Sequence, residues 1–298
     1  MKILNFGSLN IDFVYSLDHF VRKGETISSR ELNIFSGGKG LNQSVALGRA
    51  GACVYHAGAV GPDGDFLLEL MNGAGVDTKF VKRLEDVRTG NAIIQKDKSG
   101  DNCIILYGGA NQAITKAQID ETIAAFDAGD FLVMQNEINE MPYIMERAYA
   151  QGMKLVLNPS PMDEKILKMP LQYVSYFVLN EIEAGQILGL SGEESSQMDG
   201  AKLAEELCSK FPQAKIVLTL GGEGSVYYGD GELLRQPAFK VQAVDTTAAG
   251  DTFTGYFIAG LIEKLPVKEA MELAAKAAAI TVSRAGAAPS IPVRDEVK

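Results

Sequence analysis

Histidine is nearly missing from this chain. His19 and His56 are the only two in 298 residues, which leaves little material for a histidine-rich metal site or a Ser–His–Asp triad. His56 lies in the apolar run Val54-Tyr-His-Ala-Gly-Ala-Val60, where a satisfied strand histidine is the simpler reading. Cysteine is scarce too. Cys53, Cys103 and Cys208 stand far apart with no CxxC pair, which argues against a zinc or redox motif. Their apolar or amphipathic surroundings predict buried, reduced thiols and a reducing, cytoplasmic setting. Positive charge is in deficit: 28 Lys and Arg face 38 Asp and Glu, a net charge of −10. That excludes the basic stripe of a nucleic-acid surface. No apolar run reaches the roughly 18 residues of a membrane span, and Met1-Lys-Ile-Leu-Asn-Phe-Gly-Ser8 turns polar too soon for a signal peptide. Two nucleotide fingerprints are also missing. There is no GxxxxGK[ST] loop, and Gly7-Ser-Leu-Asn-Ile11 stands where a dinucleotide fold wants GxGxxG. A dehydrogenase is disfavoured accordingly.

What is present is a rhythm of short apolar runs and amphipathic segments. Strands are predicted at Ile3–Phe6, Val54–Val60, Phe131–Gln135, Lys154–Asn158, Tyr176–Asn180 and Lys215–Leu220. Helices are predicted after Gly37-Gly-Lys-Gly40 and at 65–72, 115–125, 141–151, 181–188, 196–210, 249–263 and 267–283. This alternation implies a mostly parallel sheet with helices on both faces, in one α/β domain. Two inserts, about 11–35 and 88–109, lack helix patterns and hold β-rich runs. Ala92–Gln95 and Cys103–Tyr107, joined by Asp97-Lys-Ser-Gly100, read as a hairpin. Paired together, the inserts would form a small separate sheet and a lid. A second hairpin, Gly224–Tyr228 with Glu232–Gln236, would close an edge of the main sheet.

The densest chemistry lies in Asp245-Thr-Thr-Ala-Ala-Gly-Asp-Thr-Phe253. A helix starting near Ala249 would point the free N–H groups of Ala248, Ala249 and Gly250 at an anion. Asp251 beside such a hole suits a base that takes a proton from an attacking hydroxyl; the alternative is a plain helix cap. Ser36-Gly-Gly-Lys-Gly-Leu-Asn-Gln-Ser44 is the second feature. Its glycines let backbone approach a ligand, and Lys39 and Asn42 add a cation and an amide; the alternative is a strand-to-helix turn with a surface lysine. Asn10 and Asp12 suit sugar hydroxyls, or a turn. Asn180 and Glu183 read as a capping box, or as a phosphate contact and an acid beside hydrated Mg²⁺. Thr219-Leu-Gly-Gly-Glu-Gly224 reads as a nucleotide loop or a turn before a hairpin. Arg284-Ala-Gly-Ala-Ala-Pro-Ser290 ends a long helix, and its carbonyls with Asp245 would suit a monovalent cation.

Gly37–Gln43 and Asp245–Phe253 occur in order about 200 residues apart, and with them the chain resembles the ribokinase-like (PfkB-type) sugar kinases over nearly its whole length. Gly7–Asp12, Leu157-Asn-Pro-Ser-Pro161, Asn180–Glu183, Thr219–Gly221 and Gly286–Ser290 carry the resemblance further. It implies a three-layer α/β/α fold with a small β-sheet lid, often paired between two subunits as a homodimer. It implies phosphorylation of a sugar's primary hydroxyl by ATP. D-ribose leads as acceptor; deoxyribose, fructose, 2-keto-3-deoxygluconate or a nucleoside are alternatives, and a non-catalytic sugar- or nucleotide-binding protein is the reading from another class. By position, Asp251 would be the base and Ala248, Ala249 and Gly250 the anion hole. Asn10, Asp12, Gly38, Lys39, Asn42 and Glu137 would hold the sugar. Asn180, Thr219, Gly221 and Gly224 would line the nucleotide side, with Glu183 on Mg²⁺ through water. Asp245, Thr247, Thr281, Arg284, Gly286 and Ser290 would hold K⁺, several through carbonyls. Two residues depart from the pattern: Leu41 stands where alanine is usual, and Asn136 where an apolar residue is common.

Overall fold

The computed structural model describes residues 1–297. Its main sheet joins β1 (Ile3–Phe6), β4 (Val54–Val60), β5 (Val76–Arg83), β8 (Phe131–Gln135), β9 (Lys154–Asn158), β10 (Val174–Asn180), β11 (Lys215–Thr219), β12 (Ser225–Gly229) and β13 (Glu232–Gln236). Their order is β13-β12-β11-β10-β9-β8-β1-β4-β5. From β5 to β11 every pairing is parallel; the two pairings at the other edge, β11–β12 and β12–β13, are antiparallel.

Strand alternation divides the interior into two cores. Ile3, Val133, Val156, Val178 and Val217 point to one face, where they meet α1 (Lys39–Arg49), α2 (Asp65–Gly73), α8 (Ala249–Ile262) and α9 (Val267–Val282). Leu4, Leu132, Leu155, Phe177 and Leu218 point to the other. There they meet α3 (Lys116–Ile123), α4 (Met141–Ala150), α5 (Glu181–Leu188) and α7 (Gly200–Lys210). A sheet buried on both sides needs apolar residues at consecutive positions, which is why these strands read as unbroken runs. The result is the three-layer α/β/α arrangement. Helix α8 packs between α1 and α9 and is buried from Asp251 to Gly260, as its apolar circumference requires.

The two β-rich inserts pair into a separate four-stranded sheet, β3-β2-β6-β7. It is built from β2 (Asn10–Ser16), β3 (Glu31–Gly37), β6 (Gly90–Lys96) and β7 (Asn102–Tyr107). Every residue of β7 is exposed, among them Ile104, Ile105, Leu106 and Tyr107, and Leu32, Ile34 and Phe35 of β3 are exposed as well.

Three sequence readings need correction. The helix predicted over 196–210 is two helices, α6 (Gly192–Gln197) and α7, because Asp199 caps α7 by accepting from Ala201 N–H at 2.8 Å. Strand β5 is absent from the sequence reading. It is an edge strand whose single parallel neighbour leaves lysines and acids interleaved among its apolar residues, which hides the alternation. The cysteines are unpaired, but Cys53 and Cys103 are exposed and Cys208 is half-buried. Cys103 lies in β7, which is exposed along its whole length, Cys53 just before β4, and Cys208 on α7. His56 matches its reading: it is fully buried, bonded to Ser44 Oγ at 2.7 Å and Gly7 O at 3.2 Å, and burial pushes its imidazole down to about 4.

Candidate active site

The carboxyl ends of β9 to β11 and the head of α8 converge on one cleft of about 190 Å³ that opens to solvent, the place where open α/β sheets take ligands. Helix α8 begins after Ala248, a non-glycine residue in the left-handed region at φ 61°. That conformation costs roughly 1–2 kcal/mol and turns the chain sharply into the helix. The N–H groups of Ala248, Gly250 and Asp251 have no partner among the described residues, whereas the Ala249 N–H lies 3.3 Å from Thr246 O. Asp251 is only 6 % exposed. Its Oδ2 accepts from Asn42 Nδ2 at 3.1 Å and its Oδ1 from Gln43 Nε2 at 2.9 Å. No side chain caps α8, so Asp251 is not the cap of its own helix: the carboxylate reaches across to α1. Two amide donors on α1 thereby fix both oxygens of this carboxylate in place.

One side of Asp251 is the cleft itself, lined by Lys39, Ser160, Asn180, Glu183, Thr219 and the Ala248–Asp251 turn. The capping box predicted for Asn180 and Glu183 is formed. Asn180 Oδ1 accepts from Glu183 N–H at 2.8 Å, and Glu183 Oε2 accepts from Asn180 N–H at 3.1 Å. Both residues line the cleft as well, so the cap fixes where they stand without using Glu183 Oε1. Gly221 and Gly224 do not line it. They make the tight turn into β12, and a side chain at Gly224 would strike the Gln236 carbonyl at 2.1 Å.

On the other side lie Asn10, Asp12, Gly38 and Glu137. Glu137 Oε2 accepts from Ser8 Oγ and, at 2.8 Å, from the Lys39 N–H. Burial raises its carboxyl above the usual range. Burial also raises Asp12 to about 6, and the charge of Glu137 adds to that shift. Asp12 rests on Gly37, where an added Cβ would sit 2.2 Å from its carboxylate. Gly38 takes φ 94° to bring α1 beneath Ser8 and Asn10. Asn42 Oδ1 is buried with no hydrogen-bond partner among the described residues.

Four polar residues of this site were missed in the sequence. Asn111 accepts from Leu9 N–H at 3.0 Å and gives a hydrogen to Asn10 Oδ1 at 2.7 Å, which leaves Asn10 its own NH₂ to offer. Gln43, Gln135 and Asn158 form an amide chain ending on Asp251. The legible signal was a polar residue at the carboxyl end of an apolar strand, as in Phe131–Gln135 and Lys154–Asn158. Of the two departures, Leu41 is fully buried in the core, while Asn136 Nδ2 donates to Pro161 O at 2.8 Å.

The C-terminal loop folds back on Asp245. Its Oδ1 accepts from Thr247 N–H at 2.9 Å and Thr247 Oγ1 at 2.6 Å, and its Oδ2 from Gly286 N–H at 3.0 Å. Burial pushes the Asp245 carboxyl up, but these hydrogen bonds outweigh it and hold it below the usual range. The side chains of Thr281, Arg284 and Ser290 are committed elsewhere, to Thr252 and Ala277 O, to Glu296, and to Ala287 O. Arg284 has only its carbonyl to offer a cation, since a guanidinium has no acceptor. Arg49, at the end of α1, donates to Ala288 O at 2.9 Å and to Ile291 O, tying this loop to the helix that carries Asn42 and Gln43. No cluster of three or more His, Cys, Asp or Glu side chains forms a metal site among the described residues, and no described helix is long and apolar enough to cross a membrane.

The model of the pfkB family carbohydrate kinases matches residues 1–294. A ribokinase of Haemophilus influenzae is 34% identical over 97% of this chain and 95% of its own length. Among solved structures, a ribokinase of Cryptococcus neoformans in complex with ADP superposes with a TM-score of 0.88 at 34% identity, covering 99% of this chain and 98% of that one. An Arabidopsis thaliana ribokinase complexed with ribose and ATP gives 0.85 at 27% identity, covering 99% and 97%.

Proposed function

Since the chain belongs to the pfkB family of carbohydrate kinases, we propose that it is a ribokinase, transferring the γ-phosphoryl group of ATP to the primary hydroxyl of D-ribose. The observation that carries this is the position of Asp251. It stands buried at a cleft ending in free backbone N–H groups, with Glu137, Asp12 beyond it and the unpartnered Asn42 Oδ1 as the nearby groups that could accept from hydroxyls. In the proposed reaction Asp251 takes the hydroxyl proton as the oxygen attacks. The N–H groups of Ala248 and Gly250 meet the charge on the transferring phosphoryl group, and Lys39 faces the space between acceptor and donor. Asn10, Asp12, Gly38, Asn42 and Glu137 hold the sugar; Asn180 and Thr219 stand on the nucleotide side.

Mg²⁺, when bound with ATP, neutralises phosphate charge. Glu183, buried at the cleft wall with Oε1 outside its cap, fits an acid that reaches such an ion through water. A monovalent cation fits beside Asp245 and Thr247 and the carbonyls of the 284–290 loop, where a carboxylate kept ionised faces backbone oxygen. The deciding measurement is a sugar panel with ATP, run in KCl and in NaCl. Ribose is expected to give ribose 5-phosphate with the highest kcat/KM, faster in K⁺. A preference for deoxyribose, fructose, 2-keto-3-deoxygluconate or a nucleoside would replace the acceptor, and equal rates in the two salts would remove the cation site.

The small sheet is proposed to act as a lid over the acceptor and to pair with its copy in a homodimer, working in the cytoplasm. The support is the exposed apolar side chains at the two edges of that sheet, Leu32, Ile34 and Phe35 on β3 and Ile104 to Tyr107 on β7, with Leu106 61 % exposed. Leu106→Lys is expected to turn a dimer into a monomer in sedimentation velocity; a wild-type dimer in that variant, or a monomeric parent, would rule the interface out.

A further inference from the structure

We propose that Gln43 is a positioning residue for Asp251, locked in one amide orientation by two independent hydrogen-bond chains that each end on a backbone carbonyl. The first chain runs through Asn158. Its Nδ2 donates to Val178 O at 2.8 Å; a carbonyl only accepts, so Asn158 turns its Oδ1 toward Gln43 and receives a hydrogen from Gln43 Nε2 at 3.2 Å. The second runs through Asn5 and Gln135. Asn5 Nδ2 donates to Gly40 O at 2.8 Å, which leaves Asn5 Oδ1 to accept from Gln135 Nε2 at 3.1 Å. The other hydrogen of Gln135 goes to Gln43 Oε1 at 2.6 Å. Both chains demand the same thing of Gln43: oxygen toward Gln135, NH₂ toward Asn158 and Asp251. One N–H is thereby committed to Asp251 Oδ1 at 2.9 Å.

Asn5, Gln43 and Gln135 are essentially fully buried. Buried amides are costly unless paired, and in a low-dielectric setting their hydrogen bonds hold geometry more firmly than in water. An amide gives Asp251 a donor without a competing charge, so the carboxylate is held in place. The charged groups around it are Lys39 and Glu183 on the cleft wall and Glu137 on the sugar side.

This inference rests on Asp251 being the base, and two variants separate it from that premise. Gln43→Met, close in volume, is expected to lower kcat about 10- to 100-fold with the KM values for ribose and ATP changed less than about threefold. Gln43→Glu sets a second carboxyl against Asp251, and the pair retains a proton. Its activity is expected to be low at neutral pH and to recover as pH rises, the acidic limb of kcat moving up by about a unit or more. A purely structural role would not move that limb. A folded Gln43→Met with kcat within about threefold of wild type, or a Gln43→Glu profile superposable on wild type, would overturn the inference while leaving the base intact if Asp251→Ala is inactive. A loss confined to the KM for ribose would assign Gln43 to the sugar pocket instead and also overturn it. Should Gln43→Met not fold, Gln135→Met decides in its place: a several-fold loss of kcat is expected, and unchanged kcat refutes the lock.

Discussion

Asp251→Ala is expected to lower kcat by about 10²- to 10⁴-fold, the range a single general base supplies, or roughly 3–5 kcal/mol of barrier. KM for ATP and ribose is expected to stay within severalfold of wild type. The split follows from the geometry. Asp251 makes no hydrogen bond to the cleft residues that would hold the nucleotide; its partners are Asn42 and Gln43 on α1. Removing it therefore strips the proton acceptor and leaves the nucleotide cleft standing, while on the sugar side only Asn42 Nδ2 loses a partner. Alanine is the cleaner probe, because asparagine would set an NH₂ against two amide NH₂ donors already aimed at the site. Calorimetric binding of both ligands with turnover near the wild-type rate would remove Asp251 from the base role. Loss of binding along with turnover would make it a structural residue.

The second large effect is expected at Asp12. Its carboxyl is raised to about 6 by burial and by the charge of Glu137, so it ionises only above that pH. An ionised carboxylate accepts hydroxyl hydrogens at both oxygens, whereas the protonated acid must spend one as a donor. The KM for ribose is therefore expected to rise as pH falls through about 6, with the KM for ATP flat. Asp12→Ala is expected to raise the KM for ribose about 10- to 100-fold at pH 7.5, the loss of one to two charge-assisted hydrogen bonds.

The stability effect of this group runs the other way. A carboxyl raised in the folded state binds its proton more tightly than in the unfolded chain. Ionising it costs stability as pH rises from about 4 to about 6. Asp12→Asn is thus expected to melt higher than wild type at pH 7.5, by an amount on the order of 2 kcal/mol, and to bind ribose less well. A pH-independent KM for ribose between 5 and 8 would show that Asp12 does not face the sugar.

Much of this site was legible in the sequence because its parts are local. Asp251, the turn before it and Gly37–Gln43 each sit at a helix start, where a few consecutive residues set the backbone and free N–H groups follow from helix geometry alone. The three-layer architecture was legible for a similar reason: apolar runs between amphipathic helices leave few other ways to bury a sheet. The small sheet was legible as two helix-free inserts, although its central pairing, the parallel contact of β2 with β6 from Asn10↔Gly90 to Ser16↔Lys96, joins segments 80 residues apart. Strand β5 was lost because an edge strand need not be apolar. The exposure of Cys103 was lost because nothing along the chain tells that β7, apolar as it is, lies uncovered.

By itself, then, the sequence determined the fold, the family and the acid at the head of α8, since each rests on local pattern. Tertiary structure alone decided what holds that acid. Asn5 and Gln135, Gln43, Asn158 and Asp251 come from β1, β8, α1, β9 and α8 and meet only where the sheet's carboxyl edge abuts two helices. An amide's orientation depends on which partner has no choice, and those partners, the carbonyls of Gly40 and Val178, are named by no motif. The same holds for Asp12: nothing in its neighbourhood along the chain raises its carboxyl, because burial against Gly37 and the charge of Glu137 arrive only when β2, β3 and the end of β8 are brought together.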